Sequence, residues 1–122
     1  MKTLGGREIE AAVLDKASFQ LRRAQAKMRP LVLDERTEEA LQFNRRVWEV
    51  LRADWQQPEC ALPKEMRESL LSLSVFVTRY LLDFRAEPRP ERLNVLIQIN
   101  ENLVAGLRPR ATTTEPAVAM AN

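Results

Sequence analysis

Apolar residues recur along this chain at the three- and four-residue spacing of amphipathic helices, in four segments. The segments cover about residues 7–28, 37–55, 63–86 and 90–107. Each break between them ("RPLVLDE", "QQPECALPKE" and "EPRPE") carries proline, which disfavours helix at the residue before it. Thr37 is the predicted N-cap of the second helix. The pattern predicts one all-α domain over residues 1–110, a compact bundle of four main helices with short proline-bearing connections.

The end of the chain has a different character. Residues 111–122, "ATTTEPAVAMAN", show no periodic apolar pattern. A segment that buries little apolar surface cannot offset the entropy of ordering its backbone. We therefore predict a flexible, disordered C-terminal tail.

The third segment carries more apolar residues than one buried stripe needs. Placed at about 100° per residue, they form two stripes. The broad stripe contains Leu70, Leu73, Phe76, Val77, Tyr80, Leu81 and Phe84. The second contains Leu71, Val75 and Leu82, and Ser74 and Thr78 separate it from the first. Two apolar faces indicate a helix covered on both sides by its own bundle, or one face reserved for another protein; the pattern leaves both open.

The apolar halves of the second and fourth segments contain asparagine. Asn44 and Asn100 lie within these halves, and a buried asparagine costs free energy unless it is hydrogen-bonded. A role in helix register is favoured over a role in choosing a partner. The densest overlap of apolar positions predicts this core: Trp48, Leu51, Phe76, Val77, Leu96 and Leu103.

Candidate contacts for a partner come from apolar positions outside that core. Phe19 points nearly opposite to the shallow, alanine-rich stripe of the first segment. Exposed apolar side chains that cluster on a surface mark sites of protein–protein contact. We therefore predict that Phe19, Leu71, Val75 and Leu82 contact a partner protein.

The composition offers little for catalysis. The chain has no histidine and one cysteine, Cys60, so it lacks the usual metal ligands, an internal disulfide and a base to activate the thiol. No glycine-rich phosphate loop or nucleophile elbow is present. We expect no enzymatic activity, no metal, no cofactor and no small-molecule substrate.

The charge pattern and the hydropathy bear on nucleic-acid binding and on the expected cellular location. Nineteen basic and seventeen acidic residues interleave along the helices, which is typical of solvated helix faces rather than of a nucleic-acid-binding face. Arg22-Arg23 and Arg45-Arg46 are the densest basic spots. The start "MKTLGGREIE" lacks the apolar core of a secretory signal, and no stretch reaches the length of a membrane span. We expect a cytoplasmic protein.

Three stretches together resemble the flagellar biosynthesis regulator family FlaF. They are "ALQFNRRVWEVLRADW" (40–55), "LPKEMRESLLSLSVFVTR" (62–79) and "PERLNVLIQINENLVAGL" (90–107). Each stretch alone is an ordinary amphipathic helix, whereas their order and spacing are specific. The resemblance implies that residues 1–110 form a single helical FlaF-like domain.

The resemblance also implies a function and partners. It implies a cytoplasmic regulator that binds flagellin, supports its production and export in the manner of a secretion chaperone, and acts alongside the regulator FlbT. Flagellin's ends are long amphipathic helices, which a bundle with spare apolar surface could bind. An RNA-binding or purely regulatory protein that controls flagellin translation through its paired arginines remains the alternative.

Overall fold

Four α-helices make up most of the computed structural model, which describes residues 4–108 and the side chains of residues 7–108. They are α1 (Leu4–Lys27), α2 (Glu35–Trp55), α3 (Lys64–Ala86) and α4 (Leu93–Leu107), and a 3-10 turn at Pro90–Arg92 leads into α4. No strand occurs in the described part of the chain. The predicted all-α bundle of four main helices is confirmed. The predicted tail lies outside the described residues.

The start of α2 differs from the prediction. Asp34, not Thr37, is the N-cap: its Oδ1 accepts a hydrogen bond from the backbone N–H of Thr37 at 2.7 Å. Thr37 lies inside the first turn and is fully buried. The same hydrogen bond is the main reason that the pKa of the Asp34 carboxyl lies below its usual range. Asp34 thus satisfies one of the free N–H groups at the helix start.

The helices pack in an order that leaves one side open. α1 packs against α4 and against α2, and α2 packs against α3, whereas direct packing between α3 and α4 is slight. Four helices in a closed bundle would make four neighbouring pairs. Here three of these pairs pack closely, and the fourth, between α3 and α4, does not.

A single apolar core joins the helices. Large side chains at its centre come from every helix: Leu14 and Leu21, Leu41, Leu51 and Trp55, Val77 and Phe84, Leu93 and Leu96. The rings of Trp48 and Trp55 meet edge to face with centroids 6.0 Å apart. Burial of each such large side chain contributes about 1.5–3 kcal/mol relative to exposure, so this core is the main source of stability.

Polar side chains at the rim of the core connect helices that are distant in sequence. On the α1–α4 side, Arg22 pairs with Glu101, and the Gln25 amide donates to Asn94 Oδ1 at 2.8 Å. On the α2–α3 side, Arg85 pairs with Glu38. Burial raises the pKa of Glu38, but hydrogen bonds from Gln42 and Arg85 and the charge of Arg85 outweigh it, and the pKa lies below its usual range.

Candidate partner-binding surfaces

Asn44 and Asn100 meet at the centre of the bundle. The Asn100 side-chain amide donates to Asn44 Oδ1 at 2.7 Å, and the indole N–H of Trp48 donates to Asn100 Oδ1 at 2.9 Å. Both asparagines are fully buried, so neither can contact a partner in this structure. The hydrogen bonds join α2 to α4 at one register, because a shifted pairing would leave buried polar groups unsatisfied. Their arrangement agrees with the predicted register role.

The buried face of α3 is narrower than the predicted broad stripe. Only Ser74, Val77, Leu81 and Phe84 are buried along this helix. Phe76 was predicted in the core, yet 46% of it is exposed. Its position lies about 100° from Val77, and α3 packs closely on only one other helix, so one face is covered. The prediction for Phe76 is wrong, and Leu103, also predicted in the core, is half-buried.

The remaining apolar residues of α3 lie on the two flanks of this buried face. We call Leu71, Val75 and Leu82 the Val75 surface, and Leu73, Phe76 and Tyr80 the Phe76 surface. Val75 is 45% and Leu82 65% exposed, whereas Leu71 is half-buried against the core. Apolar side chains on both flanks are therefore accessible.

The two hydroxyl groups beside the Val75 surface are satisfied within α3. Ser74 Oγ donates to the carbonyl of Leu71 at 2.6 Å, and Thr78 Oγ1 donates to the carbonyl of Ser74 at 3.0 Å. These hydroxyls hydrogen-bond to their own helix and not to a neighbouring one. A partner covering the Val75 surface would thus meet mainly apolar groups.

Phe19 lies apart from the Val75 surface. It is on the outside of α1, 58% exposed, with the Arg23 guanidinium 5.7 Å from its ring centroid. It lines a shallow groove of about 390 Å³ between α1 and α2, together with Lys16, Arg36 and Glu39 among others. The four predicted contact residues therefore lie on two separate surfaces, one on α1 and one on α3. Their role in binding stays a prediction.

A larger apolar groove was not foreseen from the sequence. It has a volume of about 610 Å³, lies between α1 and α2, and is lined chiefly by Ile9, Val13, Phe43, Val47 and Val50. Val50 is 69% exposed, although its position falls in the apolar half of α2. Helical periodicity gives the direction of a side chain but not whether a neighbouring helix extends far enough to cover it.

Three of the four paired arginines contact other side chains of the chain. Arg45 pairs with Glu49 at 2.7 Å, one turn along α2, and Arg22 pairs with Glu101 of α4. Arg23 lies over Phe19, and Arg46 lines the larger groove. The four guanidinium groups are thus spread over α1 and α2 and do not form a continuous basic strip.

The described residues also bear on two other classes of site. Between residues 4 and 108, no helix combines the length and the apolar character required to cross a bilayer. Over the same residues, no three histidine, cysteine, aspartate or glutamate side chains form a group that could hold a metal ion. Cys60 is a free, half-buried thiol.

Comparison with known proteins identifies a family. The family model described as "Flagellar protein FlaF" matches residues 1–107, which include all four helices. No curated protein and no solved structure matches the chain.

Proposed function

Because this chain belongs to the flagellar protein family FlaF, we propose that it binds flagellin in the cytoplasm and supports flagellin production and export. Family membership implies a role associated with the flagellum. In the proposed mechanism, the bundle covers an amphipathic helical segment of flagellin and keeps it from self-assembly before export. Action alongside FlbT is part of the same proposal.

The observation that carries this proposal is the exposed apolar surface of α3. Val75 and Leu82 are 45% and 65% exposed, on a helix that packs closely against α2 alone. Exposed apolar side chains grouped along one helix mark an interaction site more strongly than single scattered ones. Such a surface suits helix-in-groove recognition of an amphipathic partner.

Phe19, Leu71, Val75 and Leu82 are the proposed flagellin contacts. Contact with flagellin would remove the Val75 surface from water, at about 25 cal/mol for each Å² of apolar area. Phe19 would form a second contact on α1, where Arg23 already lies against one face of its ring. Because these places are on different helices, a single substitution in each tests them separately.

Calorimetric titration of the full-length chain with purified monomeric flagellin from the same organism tests the proposal. We expect Val75→Glu and Phe19→Glu each to weaken binding by about tenfold or more, since an unpaired carboxylate would be desolvated only in the complex. Val50→Glu is the comparison variant: Val50 is 69% exposed and lies in the groove between α1 and α2, and full affinity is expected. Weakened binding by Val50→Glu would place flagellin in that groove and contradict the proposed contacts. Melting curves of all three variants show that the fold is kept.

The RNA-binding alternative predicts a different result when flagellin messenger RNA replaces flagellin in the titration. Binding of flagellin messenger RNA, falling steeply with salt and lost on Arg22→Gln or Arg45→Gln, would favour it. Glutamate at Val75 would then change affinity little. Absence of flagellin binding by the unmodified chain would contradict the proposed function.

A further inference from the structure

The side of the bundle between α3 and α4 is open, and both of its walls are apolar. The wall on α3 is the Phe76 surface, where the rings of Phe76 and Tyr80 stack with centroids 5.7 Å apart. The wall on α4 is formed by Val95, Ile99 and Leu103, which recur every four residues and therefore share one face. Direct packing between the two helices is slight. Phe76 and Val95 are 46% and 36% exposed, whereas the other wall residues are half-buried against the core.

One end of this open side is closed by the turn that joins the helices. The Tyr80 hydroxyl donates to the carbonyl of Arg92 at 2.9 Å, and the Arg92 guanidinium lies 5.4 Å from the Tyr80 ring centroid. Arg92 also donates to the carbonyl of Glu87 at 2.7 Å. These contacts hold α3 and α4 together at the turn, and the open side lies beyond it.

The direction in which the α4 wall faces follows from contacts on the opposite side of α4. Asn94 and Glu101 face α1, where they contact Gln25 and Arg22. At about 100° per residue, Ile99 lies roughly 160° around the helix from Glu101. The α4 wall therefore faces away from α1, which is the partner that packs most extensively against α4.

The far half of α3 is only partly covered by the rest of the bundle. No residue between 64 and 73 is buried, and the first buried side chain of the helix is Ser74. Leu70 and Leu73 are half-buried, and Met66 is exposed. From Met66 to Tyr80 the helix rises about 21 Å at 1.5 Å per residue, the length of a four-turn helical partner.

The charges at the rim bear on what could fill the open side. Glu65 and Asp83 lie next to the Phe76 surface on the solvent side of α3, and Glu91 lies in the turn; all three are exposed. Arg79 on that edge and Arg92 in the turn are basic, so the rim has three carboxylates and two guanidinium groups. In a symmetric contact between two copies, carboxylates of one rim would approach those of the other. An occupant with basic residues beside its apolar stripe fits this rim better than a second copy does.

From this geometry we infer that the open side is a docking groove for one amphipathic helix, whose apolar stripe contacts both walls and whose flanking basic residues face the acidic rim. Resting on the proposed function, the inference names a helical segment of flagellin as the occupant. The docked helix takes the place of the missing fourth pairing of the bundle. The groove is distinct from the Val75 surface, which lies on the other flank of α3.

Two substitutions, one on each wall, test the groove. Phe76→Glu and Val95→Glu change exposed side chains, and each is expected to weaken binding of monomeric flagellin by about tenfold or more while the melting curve stays near that of the unmodified chain. Val50→Glu, on the α1–α2 side, is again the control with unchanged affinity. Full affinity in both folded wall variants would overturn the inference.

A second experiment identifies the occupant directly. Benzoylphenylalanine placed at position 76 of the full-length chain is irradiated with flagellin present, and mass spectrometry locates the cross-link. A link to a helical segment of flagellin supports the inference. A link to a second copy, a link to residues 109–122 of the same chain, or no link to flagellin overturns it.

These substitutions distinguish failure of the proposed groove from failure of the proposed function. If Val75→Glu weakens binding and the two wall variants do not, flagellin uses the Val75 surface; the inference then fails and the proposed function stands. If the unmodified chain and Val50→Glu both fail to bind flagellin, the proposed function fails.

Discussion

At the scale of single residues, Asn100 joins two buried side chains of α2 to α4. It accepts from Trp48 and donates to Asn44, so its removal leaves polar groups of two other residues unsatisfied in the interior. Unsatisfied buried groups cost more than the hydrogen bond itself contributes. Exposed pairs such as Arg45–Glu49 contribute about 0.3–0.5 kcal/mol by contrast.

We expect Asn100→Leu to lower the free energy of unfolding by about 2 kcal/mol or more, because Trp48 and Asn44 lose their partner. Urea denaturation followed by tryptophan fluorescence measures the loss. Asn102→Leu, which changes an exposed asparagine on the same helix, should alter the value by less than about 0.5 kcal/mol. Equal effects of the two substitutions would show that the buried network does not stabilise the fold.

Asp34 gives a prediction with a defined pH dependence. Its pKa is lowered in the fold, so its contribution is complete above the ordinary aspartate pKa of about 4 and is lost as the pH falls below it. Asp34→Ala should cost about 1 kcal/mol at pH 7. Asp34→Asn should keep most of the capping but lose this part of the acid dependence. Chemical denaturation between pH 7 and pH 3 checks both; an unchanged acid slope in Asp34→Asn would contradict the assignment.

At the scale of one helix, α3 has a narrow buried face and two accessible flanks. Phe84 is completely buried, whereas Phe76, two turns earlier on the same helix, is nearly half exposed. Their positions differ by about 80° around the helix, enough to move a ring from the core to its edge. Identical side chains on one helix therefore have different roles.

Phe84→Ala should lower the free energy of unfolding by about 3–5 kcal/mol, because it leaves a cavity in the core. Phe76→Ala should lower it by less than about 1 kcal/mol, since its ring is already partly in water. Thermal and urea unfolding of the two variants make the comparison. A larger loss for Phe76→Ala than for Phe84→Ala would show that Phe76 belongs to the core and would contradict the proposed groove.

At the scale of the whole molecule, stability should be distributed unevenly. α1, α2 and α4 surround the Asn44–Asn100 pair, whereas residues 64–73 of α3 contribute no buried side chain. Local opening is easiest where few buried contacts resist it. A segment that opens readily is also one that a partner can order.

Hydrogen exchange should reveal this difference. Amides of residues 68–73 should exchange faster than those of residues 77–84, which carry the buried part of α3. With flagellin bound, protection should rise over residues 68–80 and 95–103 if the open side is occupied. Protection confined to α1 and α2 would place the partner in the larger groove instead.

The sequence by itself determined the elements. The period of the apolar residues and the positions of proline predicted four helices whose ends lie within a few residues of those in the structure. The order and spacing of three sequence stretches identified the family. These features are local, since capping, proline sterics and periodicity act within a few residues. The prediction of Thr37 as the N-cap was wrong for an equally local reason. Asp34, three residues earlier, supplies the carboxylate oxygen that accepts the hydrogen bond at the helix start.

Only the tertiary structure decided which apolar positions are covered. Periodicity ranks the directions of side chains around a helix, but it does not say where the neighbouring helices lie. α4 packs on α1 rather than on α3, and this choice leaves Phe76 and Val95 exposed and brings Asn44 and Asn100 together. Pairing of helices depends on contacts between residues far apart in sequence, such as Trp48 with Asn100, 52 positions apart, which no local pattern contains.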